Sequence, residues 1–206
     1  MQNKSKLELK NVWICSIEDA NVKPVFGDLI VNKNKIAEII PKDYSDYINN
    51  TKKGKKEEND FGGRVVTLPN VNFHDHFYSR LAKGLPINGP MDNFLNILKS
   101  MWWKLDLVLD EEMIKASAQM SALESIRNGV TYIFDHHASP FTVKNSLSII
   151  ADVLEESRLR GVLCFEISDR NGEVITAEEF DESVKFLEDR TNKDIQSLIG
   201  LHASFT

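Results

Sequence analysis

The chain has 206 residues, 42% hydrophobic and 27% charged, with a formal net charge of −6 and a pI near 5.4. That is enough apolar chain for a substantial core, and too little positive charge for phosphate neutralisation, so nucleic acid is excluded as an expected partner and a small molecule is favoured. No apolar run reaches the ~18 residues of a membrane span, and the opening MQNKSKLELKNVWICSI lacks a signal peptide's apolar core, so a cytoplasmic protein with no membrane partner is expected.

In chain order, Leu7–Ser16, Asp28–Val31 and Lys35–Ile40 read as short strands, with a turn at Asn32-Lys33-Asn34, and together predict a small antiparallel sheet. Residues 44–60, YSDYINNTKKGKKEEND, are polar and charged and predict an exposed loop. From Arg64 the pattern becomes strand, loop, amphipathic helix, strand. The strands are Val65–Val71, Thr131–Asp135, Val162–Ile167 and Leu198–Leu201. Asp110 is placed to cap a helix with Met113, Ala116, Met120 and Leu123 on its apolar face, ended by Gly129. Leu147, Ile150, Ala151 and Leu154 predict a second helix before Gly161. Thr176 and Glu179 have capping-box spacing at the start of a third, whose apolar stripe is Phe180, Val184 and Leu187. Such alternation implies a parallel sheet covered on both faces, doubly wound or a barrel, and periodicity does not choose between them. The long segment after the first strand, with Phe94, Leu98, Met101, Trp102 and Leu105, is either a core-facing helix or a pocket wall. Cys15 and Cys164 sit in apolar strand-like runs and are expected as buried free thiols.

The chemistry begins with His74 and His76 in PNVNFHDHFYS. Residues two apart on a strand point the same way, so both imidazoles are able to converge on one ion, although His-x-His alone is a weak signal. His136 and His137 end the second strand in FDHHASP, and as strand neighbours they face opposite sides, so at most one looks into a site there. Asp135 is expected to orient a neighbouring side chain or cap the loop. Arg170 in SDRNG is placed to recognise a polar ring or carboxylate, or else belongs to a turn closed by Asn171-Gly172. A cytidine-deaminase type of site would need His-x-Glu and Pro-Cys-x-x-Cys, and no Gly-rich phosphate loop follows any strand.

The run VVTLPNVNFHDHFYSRLAKGLP resembles the first-strand signature of the amidohydrolase superfamily, and SALESIRNGVTYIFDHHASP, GVLCFEISDRNGE and LIGLHASFT resemble later segments of its chlorohydrolase and guanine-deaminase-like branch. Asn70 stands where that family commonly has glycine. The resemblance implies an α/β fold: residues 1–60 as part of a small β-sandwich, and 61–206 as the first four β/α units of a (β/α)8 TIM-type barrel. It implies one divalent metal ion, zinc or iron, that activates water for hydrolysis of a non-peptide C–N bond, with deamination of a cyclic amidine or nucleobase-like compound expected. His74 and His76 carry over as metal ligands, and His202 as a substrate-binding residue with His136, His137 and Arg170. A ligand role for His202 stays open, although Phe205 stands where the family's strand-five ligand motif has glutamate. The remaining family ligands, and the acid and base, have no counterpart in this chain. It is therefore expected to be an N-terminal fragment that holds its ion weakly and is inactive alone, completed by a separately encoded C-terminal half or a homodimer partner. The alternative is a non-catalytic half-barrel acting as a binding or dimerising module.

Overall fold

The computed structural model describes residues 6–33, 35–54, 58–189 and 192–203, so expectations placed on Asn34, on residues 55–57 and on Phe205 lie outside the described residues. The chain divides into two compact units, Met1–Leu68 and Pro69–Thr206.

In the first unit β1 (Lys6–Glu18), β2 (Asn21–Asn32) and β3 (Lys35–Pro41) form an antiparallel meander. The first turn is Asp19-Ala20, whose φ values of 50° and 62° are the left-handed pair that a tight hairpin requires. Lacking an Asn-Gly or Asp-Gly signature, this turn is silent in the sequence, and β2 accordingly begins at Asn21 rather than Asp28. The expected exposed loop is corrected in part, because Tyr44–Lys52 is a helix, α1. Asp43 caps it, its carboxylate accepting from the backbone N–H groups of Ser45 and Asp46 at 2.7 and 3.1 Å. Tyr44 packs on Trp13 and Phe26, with ring centroids 5.2 and 4.9 Å apart. β4 (Val65–Val66) then joins β1 in parallel, giving the order β3-β2-β1-β4.

The predicted strand Val65–Val71 is therefore two strands, divided at Pro69, which has no N–H to give to a ladder. The second unit starts with β5 (Asn70–Asp75), followed by a 3-10 turn at Phe77–Ala82. A broken helical segment comes next: α2 (Phe94–Ile97), a π turn at Leu98–Trp102 and α3 (Trp103–Asp106). Then α4 (Glu111–Arg127), β6 (Val130–His137), α5 (Ser146–Glu156), β7 (Arg160–Ile167), α6 (Glu173–Asp189), β8 (Ile195–Ser197) and β9 (Gly200–Leu201) alternate. All pairings in this sheet are parallel, in the order β5-β6-β7-β8, with β9 also on β7. The fourth strand is thus two short pieces. Gly200 permits the second, since a Cβ there would stand 2.6 Å from Cys164 Sγ and 2.7 Å from the Phe165 carbonyl oxygen.

The main core lies between this sheet and its helices, and β7 is buried from Gly161 to Ile167, as a strand covered on both faces must be. In α5 the expected face is the buried one: Leu147, Ile150, Ala151 and Leu154 are all fully buried. In α4 and α6 the expected stripes are corrected. α4 buries Ile114, Ser117, Ala118, Ser121, Ala122 and Ser125, leaving Met113, Met120 and Leu123 exposed. Small side chains let the 3-10 turn approach closely, and Ser117 Oγ donates to the Phe77 carbonyl at 2.7 Å. α6 buries Glu179, Glu182, Ser183 and Phe186, while Phe180 and Leu187 are exposed. Its capping box does not form either. Thr176 Oγ1 donates to the Ser168 carbonyl and Glu179 accepts from the Ser168 N–H, both at 2.9 Å. The Asp110 cap is present, accepting from Met113 N at 2.8 Å, and Gly129 follows α4 with φ of 70°. Of the two free thiols Cys164 is buried, with burial pushing its pKa up to about 12, whereas Cys15 is only half-buried.

Candidate active site

β5 and β6 deliver their ends to one rim. Asn70, at a register shift in the pairing of β5 with β6, secures the start of β5 to the end of α4, its N–H donating to the Gly129 carbonyl at 2.9 Å and its amide Nδ2 to that of Asn128 at 3.1 Å. Four and six residues along, the His74 and His76 rings lie 4.7 Å apart between centroids, with their Nε2 atoms 2.9 Å from each other. Two nitrogens bound to one zinc at about 2.0–2.1 Å would be separated by about 2.8–3.4 Å for angles from 90° to tetrahedral, so this pair, at the narrow end of that range and at hydrogen-bond distance, is within reach of one ion. Among the described residues, no group of three or more His, Cys, Asp or Glu side chains is arranged to hold an ion.

The turn after His76 is fixed by Asp135, whose Oδ1 accepts from Phe77 N at 2.7 Å. Burial raises the Asp135 pKa to about 8, opposed by that hydrogen bond. Asp75 supports the same turn through Arg80, at 2.5 Å, and Arg80 Nε in turn donates to Ser121 on α4 at 3.0 Å. On β6, His136 and His137 part as strand neighbours do. His136 lies 4.8 Å from the His74 ring, and burial, reinforced by His74, lowers its pKa. His137 faces the core instead, fully buried, with Nε2 2.7 Å from Ser139 Oγ, and burial lowers its pKa to about 3.

A cavity of about 350 Å³ opens beside the histidine pair, lined by His74, His76, Tyr78, Phe94, Leu98, Trp102, Trp103, Asp106, His136, Glu166, Leu201, His202 and Ala203. The broken helical segment is thus a wall of the pocket, and Leu98 is buried within it. His202 reaches the cavity because β9 pairs with the end of β7, with His202 N donating to the Ile167 carbonyl at 3.1 Å. Arg170 is not among the lining residues. Its guanidinium makes a short ion pair with buried Asp106 and lies 5.3 Å from the centre of the Trp103 ring, so it braces α3 against the end of β7. Burial lifts the Asp106 pKa to about 6 despite Arg170.

Sequence reasoning missed two acids in this cavity, Asp106 and Glu166. Glu166 is 6% exposed, with Oε1 3.1 Å from His76 Nδ1 and Oε2 3.6 Å from His202 Nε2. Burial works against charge on His76, yet the Glu166 hydrogen bond and charge hold its pKa above the ordinary histidine value.

A parallel α/β half-barrel with a histidine pair at one end of its first strand is the class that fold and site define. No family model matches the chain. The 5-methylthioadenosine/S-adenosylhomocysteine deaminase of Thermococcus onnurineus is 27% identical over 96% of this chain and 43% of its own length. The 5'-deoxyadenosine deaminase of Methanocaldococcus jannaschii is 25% identical over 87% and 40%. Among solved structures, guanine deaminase from C. acetobutylicum with bound guanine superposes with a TM-score of 0.71 at 16% identity, over 95% of this chain and 46% of that one. Atrazine chlorohydrolase from Arthrobacter aurescens TC1, complexed with zinc and atraton, gives 0.64 at 15% identity, over 94% and 46%. Over most of its length the chain is similar in sequence to part of these two deaminases, and its fold is that of part of the guanine deaminase and chlorohydrolase structures. It spans less than half the length of these curated relatives.

Proposed function

We propose that this chain contributes the first two metal ligands and one wall of the substrate pocket to a metal-dependent aminohydrolase acting on an aminopurine or a related cyclic amidine. The observation that carries the reading is the 2.9 Å approach of the His74 and His76 Nε2 atoms at the mouth of an aromatic-walled cavity. A divalent ion held there, zinc or iron, would supply a water of lowered pKa for attack on the amino-bearing carbon. The chain's own residues bind and orient. Tyr78, Trp102 and Phe94 offer flat apolar surface to a planar ring. Asp106, held by Arg170, is a buried acid of the cavity wall. His136 and His202 complete the rim, whereas His137, held on Ser139, and Arg170, held on Asp106, act through packing.

A catalytic zinc ordinarily has three protein ligands plus water, so the two histidines need further ligands, an acid and a base from another polypeptide segment. That need supports a chain that is silent alone and is completed by a C-terminal half or a partner copy. No helix among the described residues is long and apolar enough to cross a membrane. The acidic composition argues against nucleic acid, and the reading is a small-molecule reaction in the cytoplasm. The second reading, a non-catalytic binding module, is favoured by the lack of a three-residue metal group among the described residues. Ammonia release from 5-methylthioadenosine, 5'-deoxyadenosine, adenosine and guanine separates the two, measured for this chain alone and after a zinc-loaded C-terminal half is added. Turnover only in the mixture supports the enzyme reading. Its absence from every mixture, with binding of the same compounds retained, supports the module.

A further inference from the structure

Glu166 is an acid that follows the apolar residues 162–165 of β7, and its two carboxylate oxygens face two different histidines of the cavity, His76 at 3.1 Å and His202 at 3.6 Å. Burying a carboxylate is costly unless something uses its charge. For His76 Nε2 to offer a lone pair toward the point it shares with His74, the ring proton must sit on Nδ1 and be donated. Two acceptors are within reach of Nδ1: the His136 carbonyl oxygen at 3.0 Å and Glu166 Oε1. The carbonyl, which only accepts, fixes both the ring plane and the proton on Nδ1. The carboxylate adds a negative charge that makes the opposite nitrogen more basic, as outer acids behind ligating histidines do.

We propose that Glu166 is a positioning residue: its negative charge beside the Nδ1 proton of His76 raises the donor strength of Nε2, while its second oxygen faces the His202 ring across the same cavity. The inference rests on the reading of His74 and His76 as ligands. β7 and β9 make the arrangement possible, because the pairing Glu166–Gly200 brings His202 two residues beyond the partner position.

The test uses the 206-residue chain and zinc ions, with affinity measured against a chelating dye and the His76 tautomer read by nitrogen-15 NMR of the metal-free protein at pH 8. Glu166→Gln keeps the shape and removes the charge. It is expected to weaken zinc about ten- to a hundredfold and to move the His76 ring nitrogen-15 shifts while the proton stays on Nδ1, held there by the His136 carbonyl, with Glu166→Asp recovering part of the affinity. A merely structural role would lower the melting temperature and leave those shifts of the folded protein unchanged. His76→Ala separates the two ideas. If it abolishes zinc binding while Glu166→Gln changes neither affinity nor the His76 shifts, the Glu166 assignment is wrong and the ligand reading survives. If His76→Ala leaves zinc affinity unchanged, the ligand reading falls, and the change in the His76 shifts alone decides whether Glu166 acts on that ring.

Discussion

Glu179 and Glu182 occupy a buried face of α6 because each carboxylate answers backbone N–H groups that would otherwise be unpaired. Glu182 accepts from Asn145 N and Leu147 N, at 2.9 and 3.3 Å, at the start of α5, and Glu179 accepts from Ser168 N beyond the end of β7. Burial raises the Glu179 pKa to about 7, against the Ser168 hydrogen bond and Arg170. The folded state therefore binds more protons than the unfolded one between the unfolded carboxylate pKa, about 4.3, and about 7, so this group's contribution falls as pH rises through that window. Glu179→Gln should flatten the decline, gaining on the order of 3 kcal/mol at pH 8 relative to pH 4, read from urea denaturation at both values. At this scale the sequence revealed what has a spacing. His74 and His76 share a side because strands repeat every two residues, and the same rule separated His136 from His137. Glu166 and Asp106 had no spacing partner, since their histidine and arginine contacts come from other strands and loops.

Among elements, the broken helical segment is held to the strand ends by Asp106 and Arg170, with the guanidinium against Trp103. Removing Arg170 would strand a buried carboxylate, so Arg170→Met is expected to cost about 3–5 kcal/mol, and the double change with Asp106→Leu to recover most of it, measured by chemical denaturation. The α4 cap is a smaller effect: Asp110→Ala should cost about 1 kcal/mol. The existence and order of strands and helices from Asn70 onward were legible, because turn residues and apolar runs punctuate them. The buried faces of α4 and α6 were not. Both bury serines or glutamates that bond to neighbouring backbone or side chains, while Met113, Met120, Phe180 and Leu187 stay exposed, so hydrophobicity pointed to the wrong side.

For the whole molecule, β5 ends the path of its sheet with β6 as its one described partner, and Phe73 on it is 73% exposed, stacked on Phe134 at 5.5 Å. An unpaired parallel edge next to exposed aromatic surface is a template for association. Sedimentation velocity of the 206-residue chain should therefore show dimers or larger species growing with concentration, and a monomer at all concentrations would count against this account. The central claim remains that His74 and His76 share one ion, and zinc X-ray absorption tests it most directly. With one equivalent of zinc, the spectrum should show two imidazole ligands at about 2.0–2.1 Å, absent from the His74→Ala/His76→Ala double variant. An imidazole signal that is the same in both proteins would contradict the claim.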